Sequence, residues 1–101
     1  MKTKVGRLKV MQEGAALTVI ISGRVQKVGF RNFILHTAME LGVKGYVKNQ
    51  EDRTVLVHVI GTPAQLDQML EWCQKGPPLA KVSRIEVTPV NSKDYKDFKI
   101  I

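Results

Sequence analysis

Strand-like and helix-like segments alternate along this 101-residue chain, and their order limits the folds that it can form. Period-two alternation of β-branched residues indicates strands, whereas apolar residues spaced three and four apart indicate helices. Thr62, Pro63 and Gln65 form a capping-box pattern that predicts a helix start, and Gly42 lies where a helix C-cap glycine is expected. The predicted strands are residues 17–22, 43–49, 54–60, 82–88 and 97–101, and the predicted helices are residues 30–41 and about 63–75.

This order is β-α-β-β-α-β with a short extra strand at the C-terminus, and it predicts an α+β fold. The arrangement is the ferredoxin-like α/β sandwich, in which an antiparallel sheet carries two helices on one face. A chain of this size buries roughly 65% of its unfolded surface, so one domain is expected. We assign that domain to residues 15–101. Residues 1–14 carry four basic residues against one acidic residue, and we interpret them as a basic, flexible extension. Residues 7–11 could alternatively form a short added strand.

Composition places the chain among soluble globular proteins, because 44% of its residues are hydrophobic and 25% are charged. Its longest apolar runs fall short of the roughly 18 residues that span a membrane. The basic start followed by apolar residues 15–21 resembles a short signal peptide, but this run fits the first strand better. We therefore expect a cytoplasmic location. The net charge of +7 favours anionic ligands without choosing among them.

Cysteine and histidine give no indication of a metal or redox site. Cys73 is the single cysteine, which excludes an internal disulfide, and its position on the apolar face of the second helix predicts a small buried hydrophobe. His36 and His58 have no second metal ligand at a useful spacing, so both are interpreted as structural or solvated. Trp72 is expected to be half-buried packing.

Residues 23–31 connect the first predicted strand to the first predicted helix. Backbone N–H groups in a tight loop and at a helix start converge on anions. Arg31 adds a planar guanidinium that can hold two phosphate oxygens at once. A cation at a helix N-terminus opposes the helix dipole, so we expect an anion to bind beside it.

This segment resembles a signature of the acylphosphatase family, Gly-x-Val-Gln-Gly-Val-x-Phe-Arg. The matching residues are Gly23, Val25, Gln26, Val28, Phe30 and Arg31. Residues 45–49, Gly-Tyr-Val-Lys-Asn, are similar to the family's second signature, Gly-aromatic-Val-Lys-Asn. The resemblance covers residues 17–101 and implies the same ferredoxin-like fold. The fold alone does not imply a function.

The resemblance implies an enzyme that hydrolyses the carboxyl–phosphate anhydride of acyl phosphates by in-line attack of water. It implies that Arg31 binds the phosphate and that Asn49 orients the attacking water. The carboxylate leaving group needs no general acid, and no metal, cofactor or phosphoenzyme is implied. A small-molecule substrate and a monomer are expected, without nucleic acid or membrane partners. The predicted phosphate-binding loop comprises Gly23, Arg24, Val25, Gln26, Lys27, Val28, Gly29 and Phe30.

Two residues depart from the family pattern. Lys27 occupies the position of a loop glycine, and Arg53 occupies that of a hairpin-turn glycine. If Lys27 adopts a positive φ, the conformation costs about 1–2 kcal/mol. At Arg53 we expect a local stability cost or an altered turn type. The alternative to an active enzyme is therefore a weakened, anion-binding module in which Lys27 misaligns the loop.

Other readings have less support in the residues. RNA-recognition domains of this topology place aromatic side chains on their central strands, but residues 54–60 contain no Phe, Tyr or Trp. The net charge is then the only argument for nucleic-acid binding. A scaffold role has no specific residue behind it. A larger multidomain carrier is not expected, because the sequence ends with the domain.

Overall fold

The computed structural model describes residues 15–101, and the predicted extension at residues 1–14, with its alternative strand, lies outside the described residues. The helices are α1 (Phe30–Leu41) and α2 (Pro63–Lys75). The strands are β1 (Ala15–Arg24), β2 (Lys44–Asn49), β3 (Val55–Gly61), β4 (Lys81–Val90) and β5 (Phe98–Ile100). The predicted element order is confirmed. Neither helix combines the length and the apolar character that a membrane-crossing helix needs.

The five strands form one sheet in the order β4-β1-β3-β2-β5. β1 pairs antiparallel with both β3 and β4, and β2 pairs antiparallel with β3. The short β5 pairs parallel to β2, which makes the sheet mixed rather than wholly antiparallel. The ferredoxin-like prediction is confirmed, with a parallel fifth strand added at the edge beside β2.

The core lies between the two helices and one face of the sheet. Period-two alternation buries every second residue of the central strands, so that Val19 and Val57 have no exposed surface. Ile34 of α1 and Met69 of α2 are equally buried. Cys73 belongs to the same cluster, as predicted, and its burial raises the pKa of the thiol to about 12.

The two helices begin differently. In α2 the Thr62 hydroxyl accepts from the Gln65 N–H at 3.2 Å, and the Gln65 side chain accepts from the Thr62 N–H at 2.9 Å, which is the predicted capping box. In α1 the N-cap residue is Gly29, which has a left-handed backbone (φ 81°). Because glycine has no side chain, this helix start has no side-chain cap. The first turn of α1 also contains no acidic residue. The free N–H groups there are consequently available to an external anion.

Candidate active site

The candidate site begins where β1 leaves the sheet. The register between β1 and β4 shifts between Ser22 and Gly23, which marks an irregularity at the end of the strand. Gly23 has φ 126°, and a Cβ there would overlap the Lys81 carbonyl oxygen. Only glycine permits this close approach of two backbones, so the chain can turn from β1 into the loop.

The loop between β1 and α1 contains two left-handed residues. Lys27 has φ 64° and Gly29 has φ 81°. The positive φ considered for Lys27 from the sequence is therefore present. Left-handed residues in a tight loop let neighbouring N–H groups form a concave anion site. This conformation is combined here with the uncapped start of α1.

A pocket of about 140 Å³ lies at this junction. One water needs about 10–15 Å³ on the same measure, so the pocket has room for a small anion. It brings Arg31 of α1 and Asn49 of β2 together, although the two residues are far apart in the sequence. The lining residues are Val25, Lys27, Gly29, Phe30, Arg31, Asn32, Asn49 and Ile100.

Arg31 is the second residue of α1, and it is exposed. Within residues 15–101 no carboxylate forms an ion pair with it, since the single salt bridge found there joins Arg84 to Glu86. An unpaired cation at a helix N-terminus is electrostatically unfavourable. An anion in the pocket would remove this penalty and accept charge-assisted hydrogen bonds from the guanidinium.

Asn49 is the last residue of β2. Its Oδ1 atom is buried and has no hydrogen-bond partner among the described residues. A buried acceptor without a partner costs about 1–3 kcal/mol, which is unusual in a small domain. A water or ligand donor in the pocket would satisfy this atom.

The side chain of Gln26 contacts the β2–β3 hairpin instead of the pocket. Its Nε2 atom donates to the Gln50 carbonyl and to the Thr54 carbonyl, each at 2.9 Å. Gln50 directly follows Asn49, so Gln26 fastens the loop to the turn that carries Asn49. The hairpin is closed by a hydrogen bond from the Gln50 N–H to the Thr54 carbonyl at 2.9 Å.

The predicted loop residues are thus divided by the structure. Four of them line the pocket, namely Val25, Lys27, Gly29 and Phe30. The other four do not line it, namely Gly23, Arg24, Gln26 and Val28. The sequence reasoning did not select Asn32 or Ile100, which also line the pocket. Asn32 could have been found as the polar neighbour of Arg31, whereas Ile100 gives no local signal.

Neither histidine lines this pocket. His36 is exposed, and His58 is 7% exposed. His58 lies between the Ser92 hydroxyl at 2.8 Å and the Thr18 hydroxyl at 3.4 Å, and it stacks on Tyr46. Burial lowers the pKa of His58. Within residues 15–101 no three His, Cys, Asp or Glu side chains are grouped as metal ligands would be.

This fold and pocket define a small α+β domain with a candidate anion site, which is lined by loop residues, Arg31 and Asn49. The family model of the acylphosphatases matches residues 17–100, and the chain belongs to that family. An acylphosphatase of Archaeoglobus fulgidus is 44% identical over 85 residues, which cover 84% of this chain and 96% of that protein.

Two solved structures support the same assignment. An acylphosphatase from Coxiella burnetii superposes with a TM-score of 0.84 at 33% identity, covering 87% of this chain and 93% of that chain. An acylphosphatase from Bacillus subtilis gives a TM-score of 0.83 at 34% identity, covering 86% and 98%. The alternative of a weakened anion-binding module finds no support in these comparisons.

Proposed function

We propose that this protein hydrolyses acyl phosphates to a carboxylate and inorganic phosphate. The observation that carries the proposal is the pocket itself, which joins Arg31, the left-handed loop and the unsatisfied Asn49 Oδ1. Each of these three parts corresponds to one requirement of the reaction. Arg31 is the cation for the phosphoryl group, the loop supplies a cradle of N–H groups, and Asn49 Oδ1 is the acceptor that positions water.

The proposed reaction is an in-line displacement at phosphorus. The Arg31 guanidinium and the loop N–H groups hold the equatorial phosphoryl oxygens. Asn49 Oδ1 accepts a hydrogen bond from the attacking water, and because a carboxamide cannot take the proton, it acts by orientation alone. The water oxygen bonds to phosphorus while the bond from phosphorus to the acyl oxygen breaks. The carboxylate leaves with the electron pair, and the proton of the water passes to solvent or to a phosphate oxygen.

The leaving carboxylate is a weak base, so the reaction requires no general acid. The charge that develops on the phosphoryl oxygens is met by Arg31 and by the helix N-terminus, and we propose a metal-independent mechanism. We further propose a cytoplasmic monomer that acts on small acyl phosphates and has no nucleic-acid or membrane partner.

Hydrolysis of benzoyl phosphate at neutral pH tests this proposal. We expect turnover by the parent, a loss of about a thousandfold or more in kcat/KM for Arg31→Ala, and a loss of about a hundredfold for Asn49→Ala. Arg84→Ala is the matched control, because it removes an exposed arginine from β4, which does not line the pocket, and should retain activity. Far-UV circular dichroism checks that each variant is folded. A parent no faster than Arg31→Ala would refute the proposal, and a large gain in Lys27→Gly would favour the weakened alternative.

A further inference from the structure

A second, larger groove adjoins the phosphate pocket. It has a volume of about 620 Å³ and shares the walls formed by Val25 and Lys27 with the pocket. The end of β1 and the loop after it form one side, and the β2–β3 hairpin forms the other. Its lining residues are Gly23, Arg24, Val25, Gln26, Lys27, Gln50, Glu51 and Arg53. A substrate whose phosphate is held at Arg31 therefore has open space beside it for the rest of the molecule.

The charge of this groove is strongly one-sided. Arg24, Lys27 and Arg53 line it, and Glu51 is the one acidic residue in the lining. All four are exposed, and no ion pair within residues 15–101 neutralises the three cations. Clustered positive charge in a concave site attracts and retains anions.

Two of these cations lie at backbone positions that are strained for a non-glycine residue. Lys27 (φ 64°) and Arg53 (φ 75°) are the two non-glycine residues with positive φ among residues 15–101. Glycine adopts this conformation without strain, whereas a residue with a Cβ pays a cost. Residues in such conformations cluster at active sites and ligand-binding sites, so their presence suggests a function to test. Both strained residues here carry a positive charge into the same groove.

We propose that this groove binds a second anionic group of the substrate, so that the preferred acyl phosphates carry a carboxylate or phosphate on the acyl portion. This inference rests on the proposed function and specifies its substrate class. Lys27 spans the pocket and the groove, and Arg53 contacts the substrate from the hairpin side. An acyl phosphate with an uncharged acyl portion fills the pocket but leaves the three cations of the groove unpaired.

The test compares substrates that differ in one charge. 4-Carboxybenzoyl phosphate carries the second anion, and 4-carbamoylbenzoyl phosphate has an uncharged amide of the same shape in its place. The same two groups at the 3-position of the ring sample another direction into the groove. The measurement is the ratio of kcat/KM for the charged substrate to that for the neutral one, in which a general change of activity cancels. For the parent we expect a ratio above one in at least one pair, by about twofold to fivefold for each cation contacted. The ratio should fall towards one as salt is raised.

Variants assign the ratio to the groove. Arg53→Gln removes the charge and keeps a side chain, whereas Arg53→Gly also removes the strain, and both should lower the ratio by the same factor. Lys44→Gln removes one cation at the end of β2 remote from Asn49, roughly 17 Å away along the strand, and should leave the ratio unchanged.

Two results would overturn the inference. One is a parent ratio at or below one for both substrate pairs, and the other is a ratio that neither Arg53 variant changes. Either result leaves the proposed function standing if benzoyl phosphate is hydrolysed in an Arg31-dependent way. A parent that hydrolyses none of these substrates refutes the function and the inference together.

Discussion

Replacing Gln26 with alanine should weaken both the fold and the catalytic step, because this side chain joins the two halves of the pocket. Its carboxamide uses both N–H groups, one on the Gln50 carbonyl and one on the Thr54 carbonyl. Asn49 directly precedes Gln50. The Gln26→Ala variant loses both hydrogen bonds between the β1–α1 loop and the turn that follows Asn49.

The magnitude follows from the number of bonds. A hydrogen bond of this kind contributes about 0.5–1.5 kcal/mol net, so losing two should lower the free energy of unfolding by about 1–3 kcal/mol. In a domain of this size, 1 kcal/mol lowers Tm by about 4–8 °C. A displacement of the water-positioning group by about 1 Å costs up to about a hundredfold in rate. We therefore expect kcat for benzoyl phosphate to fall about 10- to 100-fold, with a smaller change in KM.

Urea unfolding and steady-state kinetics measure the two effects. Gln26→Glu has nearly the same shape but directs a carboxylate at two carbonyl oxygens, so it should be less stable than Gln26→Ala. Gln50→Ala is the matched control. It removes a side-chain bond within the hairpin, from Gln50 Nε2 to Thr54 Oγ1 at 2.8 Å, without releasing the loop. That variant should lose stability but keep most of its kcat. The reasoning is refuted if Gln26→Ala keeps parental kcat, or if Gln26→Glu is as stable as the parent.

Three further predictions concern stability, and urea unfolding measures each. Gly45→Ala should destabilise the domain by about 3 kcal/mol or more, because Gly45 has φ 132° and a Cβ there would overlap the carbonyl of His58. In the comparison variant Gly29→Ala a Cβ would meet nothing within 4 Å, so the free energy of unfolding should fall by only about 1–2 kcal/mol. Burial lowers the pKa of His58 below its unfolded value of about 6.5, so the unfolded state binds the proton more readily. The contribution of neutral His58 to the free energy of unfolding should be fully present above that pH and be lost as the pH falls below it. His58→Gln should flatten this decline. Thr62→Ala should lose about 1 kcal/mol through the capping box, whereas a loss below 0.3 kcal/mol would contradict that role.

The helices could be predicted from the sequence because their ends are encoded locally. The Thr62–Gln65 capping box and Pro63 define the start of α2, and Gly42 ends α1 by donating its N–H to the Ala38 carbonyl at 2.9 Å. Each signal depends on residues within one turn. No distant contact was needed to interpret them.

The sheet edges were harder to predict. β4 continues to Val90, two residues beyond the predicted end, although Pro89 lies within it. Because β4 is an edge strand that pairs with β1 alone, a residue without an N–H is tolerated there. The parallel pairing of β5 with β2 depends on the path of the chain after β4, which no periodicity records.

In the site, the family signatures indicated Arg31 and Asn49, and both residues line one pocket. The signatures could not show which way each side chain turns. Gln26 belongs to the predicted phosphate-binding loop, yet its carboxamide donates hydrogen bonds to two carbonyls of the β2–β3 hairpin. Ile100 reaches the pocket through β5, whose position depends on sheet topology. Side-chain direction and long-range pairing are properties of the assembled fold, and one sequence does not contain them locally.

The burial of Cys73 gives the domain an internal reporter of its own opening. The thiol has no exposed surface, and its pKa of about 12 leaves almost no thiolate at pH 8. An unfolded cysteine, with a pKa of about 8.5, would alkylate readily at that pH. When the core closes faster than the thiol reacts, the rate of iodoacetamide labelling therefore measures the population of the open state. For each variant, turnover of substrate and opening of the core can be measured on the same protein sample, because the native cysteine makes an engineered one unnecessary.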